Sequence, residues 1–210
     1  MKLKDLGNIP FGLSVLEDVY PSNKAIVNKA NRLCEAKEII RLKRGLYVVN
    51  PEISDKKVNE FLIANHLYGP SYVSKQSALR FYGLIPERVY EITSMTTRLA
   101  KSYVNTFAKF TYTHCPADYF GVGVKPYHQE GLSFLIASPE KALCDMMIYS
   151  TRLNLRFMHE MRSYLEDDIR FDMSQLADLN LDLLREIKEV GMKKQMISLL
   201  IKFIENERNV

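Results

Sequence analysis

Between residues 22 and 36, apolar residues recur at intervals of one, three and four positions, with polar residues between them. This is the spacing of an amphipathic helix, whose buried face would carry Ile26, Val27, Ala30, Leu33 and Cys34. We predict a helix over about residues 23–36, with Ser22 as its N-cap, because a serine hydroxyl can accept a hydrogen bond from a first-turn amide. The opposite face of this helix would be polar and basic.

Directly after this helix the apolar spacing changes. Two short runs, residues 38–42 and 46–49, are rich in isoleucine, leucine and valine and predict a pair of strands. Gly45 lies between them and tolerates the positive φ that a tight hairpin turn requires. Residues 12–20 carry apolar positions at helical spacing. We therefore predict that residues 1–51 form a winged helix-turn-helix DNA-binding domain, with two helices and a basic hairpin.

The pattern beyond residue 51 mixes both kinds of element. Helical spacing begins near Val58, Ser74 and Ser138, and strand-like runs cover residues 89–93, 106–114, 119–127 and 132–137. We therefore predict a mixed α+β domain over residues 52–150. Residues 151–210 carry apolar stripes at helical spacing, which predicts a helical C-terminal region packed on that domain. The expected fold class is α+β.

The positive charge of the chain is concentrated at one end. Residues 1–50 hold nine Lys and Arg against five Asp and Glu, whereas residues 51–210 hold twenty of each. Localised basic charge of this kind attracts phosphate backbones, and such binding weakens as salt rises. A small solvated domain can also be basic without binding nucleic acid, so charge alone leaves both interpretations open.

Basic and amide side chains gather on the outer face of the predicted helix and on the hairpin. Amides can offer adenine a matched donor and acceptor, while Lys and Arg suit phosphates and guanine edges. The solvent-exposed face of an ordinary amphipathic helix would have a similar composition. The adjoining basic hairpin is the feature that favours the DNA-binding interpretation. The candidate DNA-binding residues are Ser22, Asn23, Lys24, Asn28, Lys29, Asn31, Arg32, Arg41, Lys43 and Arg44.

Catalytic and metal-binding patterns are not evident in the sequence. The four histidines form no HExxH pair, and the three cysteines are odd in number and lack zinc spacing, which favours reduced thiols in the cytoplasm. Asp118 and Glu140 leave a nuclease-like enzyme as a weaker alternative. No apolar run has the length of a membrane helix, and the N-terminal residues lack the apolar segment of a signal peptide. We expect no catalytic residues, metal or cofactor.

Several stretches, taken in order and spacing, resemble the AbiE-type antitoxins of type IV toxin–antitoxin systems. The resemblance covers most of residues 10–150, and the helical tail matches least. The stretches are LKRGLY (42–47), PSYVSKQSAL (70–79), YGLIP (82–86), EITS (91–94) followed by Thr96, and ASPEKALCD (137–145).

This resemblance implies a bacterial transcriptional regulator that represses its own operon. Its winged helix would bind inverted repeats in double-stranded promoter DNA, through positions matching residues 23–33 and 41–45. The following domain would counteract a nucleotidyltransferase-like toxin without forming a stable complex with it. The family offers no catalytic residues to transfer. The main alternative is a winged-helix module that binds protein and not DNA.

Overall fold

The computed structural model describes residues 2–86, 90–129 and 131–208, and their fold is mixed α+β. In the N-terminal part, two helices precede a hairpin, and a short strand pairs with the hairpin's second strand to give a sheet of order β1-β3-β2. The elements are a 3-10 turn at Leu3–Leu6, β1 Phe11–Gly12, α1 Leu13–Val19, α2 Ile26–Glu35, β2 Ile39–Lys43 and β3 Leu46–Val49.

Helix α2 begins later than the sequence predicts. Its N-cap is Ala25, so the prediction that Ser22 caps this helix is wrong. The side-chain oxygen of Asn23 accepts a hydrogen bond from the Ala25 amide at 3.0 Å, and the Asn23 amide donates to the Tyr20 carbonyl at 3.0 Å. Asparagine side chains compete with helical hydrogen bonding in this way, and here they hold the preceding residues in a turn.

The inner face of α2 packs against α1 and the hairpin. Leu16, Ala30, Leu33 and Val49 are buried together in one hydrophobic cluster. Val27, which the spacing places on the buried face, is 54% exposed, so that prediction is wrong. The cluster covers Ile26, the first residue of the helix, but it does not cover the neighbouring Val27.

A six-stranded mixed sheet follows, with strand order β6-β7-β5-β4-β9-β8. The β5–β7 and β4–β9 pairs are parallel, and the other neighbours are antiparallel. The strands are β4 Ser71–Val73, β5 Glu91–Thr96, β6 Lys101–Val104, β7 Lys109–His114, β8 Val124–Gln129 and β9 Leu132–Ala137.

Three strand predictions differ from the structure. The strand predicted over residues 89–93 is β5, which begins at Glu91 and continues to Thr96; Val89 itself lies outside the described residues. The 106–114 segment begins its strand only at Lys109, because the Asn105 side chain accepts bonds from the amides of Phe107 and Ala108 and forms a turn. The sequence analysis missed β6, and the 119–127 segment begins inside a helical turn.

Helices cover the sheet and form the C-terminal part. Helix α7 begins as predicted, with Pro139 in the first turn and the Ser138 hydroxyl accepting from the Lys141 amide at 3.3 Å. The helices are α3 Pro51–Ser54, α4 Glu60–Leu67, α5 Lys75–Phe81, α6 Ala117–Phe120, α7 Pro139–Ile148, α8 Met158–Ser163, α9 Leu181–Val190 and α10 Lys194–Arg208, with a π-helical turn at Tyr164–Asp168 and a 3-10 turn at Met173–Asp178.

One continuous hydrophobic core joins the central sheet to the C-terminal helices. It extends from Leu62 in α4 to Ile204 in α10, and it also includes Leu42 and Val48 of the hairpin. The hairpin therefore contributes side chains to the central core as well as to the N-terminal cluster. Across the described ranges, none of the helices combines the length and apolar character needed to cross a bilayer.

Candidate nucleic-acid interface

The outer side of α2 presents polar and basic side chains to solvent. Asn28 and Arg32, one helical turn apart, are both exposed, and so is Lys24 in the turn before the helix. Lys29 is half-buried, with its ammonium 4.5 Å from the centre of the Tyr20 ring. This contact holds the Lys29 stem against the protein, while the other three side chains are open to a partner.

The turn before α2 contains the two remaining candidates of this segment. Ser22 and Asn23 are both exposed. Ser22 does not cap the helix, and the Asn23 side-chain oxygen is used by the Ala25 amide. Asn23 therefore has a local structural role, although its amide nitrogen still faces a side of the molecule that is accessible.

Arg41 connects the hairpin to the helix. Its guanidinium donates to the side-chain oxygen of Asn31 at 2.6 Å and lies 5.8 Å from the centre of the Tyr47 ring. Because the Asn31 oxygen is already engaged, Asn31 is less suited than the exposed Asn28 to offer adenine a free donor and acceptor. The bond instead fixes the hairpin relative to α2.

The tip of the hairpin is basic and exposed. Arg44 is exposed at the turn, and Gly45 follows it with a φ of +77°, as the sequence predicts. This left-handed conformation favours glycine, because a side chain there would be strained. The turn thus projects the Arg44 side chain away from the protein.

Lys43 lies differently from the other basic residues of the hairpin. Its ammonium donates to the carbonyl of Leu67 at 2.6 Å and lies 5.8 Å from the centre of the Tyr103 ring. The side chain therefore points toward α4 and β6 and anchors the hairpin to them. Its sequence position beside Arg44 could not reveal this, because the partner atoms belong to α4 and β6.

Two cations that are not among the candidate DNA-binding residues extend the basic surface beyond the hairpin. The Lys101 ammonium lies 5.1 Å from the centre of the same Tyr103 ring that Lys43 contacts, and 5.6 Å from that of Tyr68. The Arg98 guanidinium lies 5.6 Å from the centre of the Tyr68 ring. Both cations are exposed, and their place beside the hairpin depends on contacts with Tyr68 and Tyr103 that the order of residues does not reveal.

The cations of this surface are not held in ion pairs by acidic side chains of the described residues. In the ranges that the structure describes, no ion pair within 4.0 Å includes any of the candidate DNA-binding residues, Lys101 or Arg98. Positive charge left unpaired and exposed is available for an anionic partner. The helix face, the hairpin tip and the adjoining cations together form the candidate interface.

The weaker nuclease interpretation gains no support from the geometry. Asp118 is exposed, whereas Glu140 is buried and accepts a hydrogen bond from the Asn180 amide at 2.8 Å. Within the described ranges, no three His, Cys, Asp or Glu side chains are grouped in a way that could hold a metal ion. All three cysteines are free thiols.

Comparison with known proteins adds no family assignment. No protein-family model matches the chain, and no curated protein matches its sequence.

Proposed function

We propose that this protein is a DNA-binding transcriptional regulator with an N-terminal winged helix. The element order α1, α2, β2, β3, with β1 pairing against β3, supports this interpretation. In such domains the second helix enters the major groove, and the hairpin contacts the adjoining backbone or minor groove. Here α2 would be the recognition helix and the β2–β3 turn the wing.

The observation that carries the proposal is the exposed basic side of α2 together with the exposed hairpin tip. Asn28 would contact a base edge, while Lys24 and Arg32 on either side of it would bind phosphates. Arg44 would bind the backbone or minor groove from the wing. The contribution of such cations to affinity does not depend on DNA sequence, and the affinity falls steeply as the salt concentration rises.

The internal bonds of the interface favour a rigid binding surface. The Arg41–Asn31 bond fixes the wing against α2, and the Lys43–Leu67 bond fixes the wing against the central domain. A surface that is already ordered before binding loses less conformational entropy when DNA binds. Arg41 and Lys43 would then act by positioning the wing, with little direct contact of their own.

The regulatory role follows from the resemblance to AbiE-type antitoxins. On that basis the protein would bind inverted repeats in its own promoter and repress its operon. The central and C-terminal parts would counteract a nucleotidyltransferase-like toxin without a stable complex. A toxin gene beside the gene for this protein, and rescue of growth when both are expressed, would test this part separately from DNA binding.

DNA binding can be tested with fluorescence anisotropy, using a labelled duplex from the upstream region of the gene. Arg44→Ala should weaken binding to all sequences and reduce the slope of log K against log salt by about 0.9, because one phosphate contact is lost. The matched control is Lys125→Ala, which removes one exposed charge in β8, away from the proposed interface. The control should bind as the parent does.

Two results would contradict the proposal. If Arg44→Ala and Lys125→Ala weaken binding equally, the wing has no specific role. If the parent protein fails to bind the upstream duplex even at low salt, the N-terminal domain does not act on DNA there. That second result would favour the alternative of a winged-helix module that binds another protein.

A further inference from the structure

A polar cavity lies between the central sheet and the helices on one of its faces, apart from the DNA-binding surface. Its volume is about 400 Å³, and its floor consists of residues on the same face of β5 and β7, including Glu91, Thr111 and Thr113. Lys75 and the end of α7, with Tyr149, form its walls. Small-molecule sites are typically concave and begin at about 300 Å³, so this cavity has the size of a small ligand site.

Lys75 is the cation of this cavity and lacks an anionic partner. Its ammonium donates to the Thr113 hydroxyl at 2.8 Å and lies 6.0 Å from the centre of the Tyr149 ring. Across the described ranges, it forms no ion pair within 4.0 Å. An ammonium carries three N–H donors, so two remain for a ligand.

The nearest carboxylates are committed to other cations. Asp145 lies beside Lys141, at 3.7 Å, and accepts hydrogen bonds from hydroxyl groups. Glu91 pairs with Lys109 at 2.7 Å. Each acid lies within 4.0 Å of a cation other than Lys75, so one positive charge remains in excess at the cavity, although both acids still attract Lys75 from farther away. Burial lowers the pKa of Lys75, which is the expected effect of removing an unpaired ammonium from water.

Hydrogen-bond donors other than Lys75 also face the cavity. The Thr113 oxygen accepts from Lys75, so its own hydroxyl proton is available for a ligand. Gln76, Tyr149 and Ser150, whose side chains carry an amide or a hydroxyl, line the same space. Donors grouped around a cation are the usual recognition set for carboxylate and phosphate oxygens.

The backbone at Lys75 is unusual for a residue with a side chain. Its φ is +53°, in the left-handed region that non-glycine residues seldom adopt. Conformations of this kind persist where the surrounding structure holds them, and they concentrate at functional sites. Four other described non-glycine residues, Lys37, Asp55, Arg170 and Lys193, share this conformation, so it accompanies the polar cavity at Lys75 and does not by itself mark a site.

We propose that this cavity binds a small metabolite through a carboxylate or phosphate group, with Lys75 as its main anion-binding residue. Thr113 positions the ammonium and donates its own proton to the ligand. The inference is independent of DNA binding, because it uses none of the residues of the proposed interface. It gives the protein a second, small-molecule site in its central domain.

The test measures thermal unfolding of the full chain in sodium phosphate and in sodium acetate, each against sodium chloride at equal ionic strength. Phosphate, acetate or both should raise the Tm of the parent protein, because a ligand that binds only the folded state stabilises it. Lys75→Met should weaken the binding of the effective probe by roughly tenfold or more, since a charge-assisted bond is lost. Comparing the two probes distinguishes a phosphate site from a carboxylate site.

Control variants distinguish binding at this cavity from other causes of an increase in Tm. Lys125→Met, in β8, and Arg44→Ala, on the proposed wing, should keep the full response to the probe. Glu91→Gln removes the carboxylate that lines the cavity and should strengthen binding. This gain gives a readout that remains even if Lys75→Met fails to fold.

The pH dependence gives a further readout. Probe binding should weaken as pH rises through the Lys75 pKa, which lies below that of an ordinary lysine, whereas Lys75→Arg should keep binding at alkaline pH. The proposal is overturned if neither probe raises the Tm at millimolar concentrations, if Lys75→Met responds as the parent does, or if Glu91→Gln leaves binding unchanged.

Discussion

A buried ion pair in α7 allows a direct test of how this fold is stabilised. Lys141 and Asp145, one turn apart in α7, have fully buried side chains, and the ammonium lies 3.7 Å from the carboxylate. Asp145 also accepts hydrogen bonds from the hydroxyls of Ser74 at 2.5 Å and Tyr119 at 2.7 Å. The Lys141 ammonium donates to the Tyr119 carbonyl at 2.7 Å.

Removing one charged side chain of this pair should lower the free energy of unfolding by far more than the intact pair contributes to it. Lys141→Met keeps the length of the side chain but leaves the Asp145 carboxylate buried without its counter-charge. Breaking a buried pair in this way typically costs about 3–5 kcal/mol. We expect a value near the lower end, about 3 kcal/mol, because the two hydroxyl donors remain and Lys75 also attracts Asp145.

A double-mutant cycle isolates the coupling between the two charges. Asp145→Asn alone leaves Lys141 as an uncompensated buried cation, and its cost should again be about 3 kcal/mol. The double variant removes both charges and should therefore lose clearly less than the sum of the single variants. We expect a coupling energy of about 2–3 kcal/mol, within the range found for residues in one network.

The assay is urea denaturation followed by circular dichroism, with the free energy of unfolding taken from the linear dependence on urea. The control is Lys109→Met, which breaks a shorter ion pair, 2.7 Å to Glu91, whose side chains are 53% and 37% exposed. An exposed pair contributes less than about 1 kcal/mol. The reasoning is refuted if Lys141→Met costs no more than Lys109→Met, or if the double variant equals the sum.

The same variant should change the dependence of stability on pH. Burial raises the pKa of Asp145, and Lys141 is the largest influence opposing that rise. Without Lys141 the pKa rises further. A carboxyl whose pKa is raised on folding favours the folded state at low pH, and this contribution is lost as pH rises through the folded pKa. Lys141→Met should therefore be less destabilising, relative to the parent, at about pH 5 than at about pH 8.

Two further predictions concern the proposed DNA interface. Asn28→Ala should reduce discrimination between the operator and a duplex with one changed base pair by about 1–3 kcal/mol, as measured by competition anisotropy, while non-specific affinity stays the same. Unchanged discrimination would remove Asn28 from base recognition. Lys101→Ala should reduce the slope of log K against log salt by at most about 0.9, and by no more than Arg44→Ala does. An unchanged slope would confine the interface to the N-terminal domain.

Much of the local structure could be predicted because neighbouring residues determine it. Pro139 in the first turn and the Ser138 hydroxyl define the start of α7, and Gly45 with positive φ allows the hairpin turn. The apolar spacing also predicts α1 and both hairpin strands to within about one residue. These features depend on backbone geometry and hydrogen bonds within a few residues.

Errors arose where two local interactions compete. Ser22 has the chemistry of an N-cap, but the Asn23 side chain forms a turn that delays the helix to Ile26. The Asn105 side chain similarly ends one strand segment and begins another, and the sequence analysis therefore missed β6. The spacing of apolar residues does not indicate whether a polar side chain will cap a helix or form a turn.

By itself, the sequence determined the α+β composition, the basic N-terminal segment and the hairpin that follows its second helix. Only the tertiary structure decided which cations are exposed and which are engaged, since Arg44 is open to solvent while its neighbour Lys43 bonds to Leu67. The same holds for Lys75 and Asp145, whose partners come from distant strands and helices. A charged side chain is paired, buried or free according to the atoms that folding brings beside it, and the order of residues does not specify those neighbours directly.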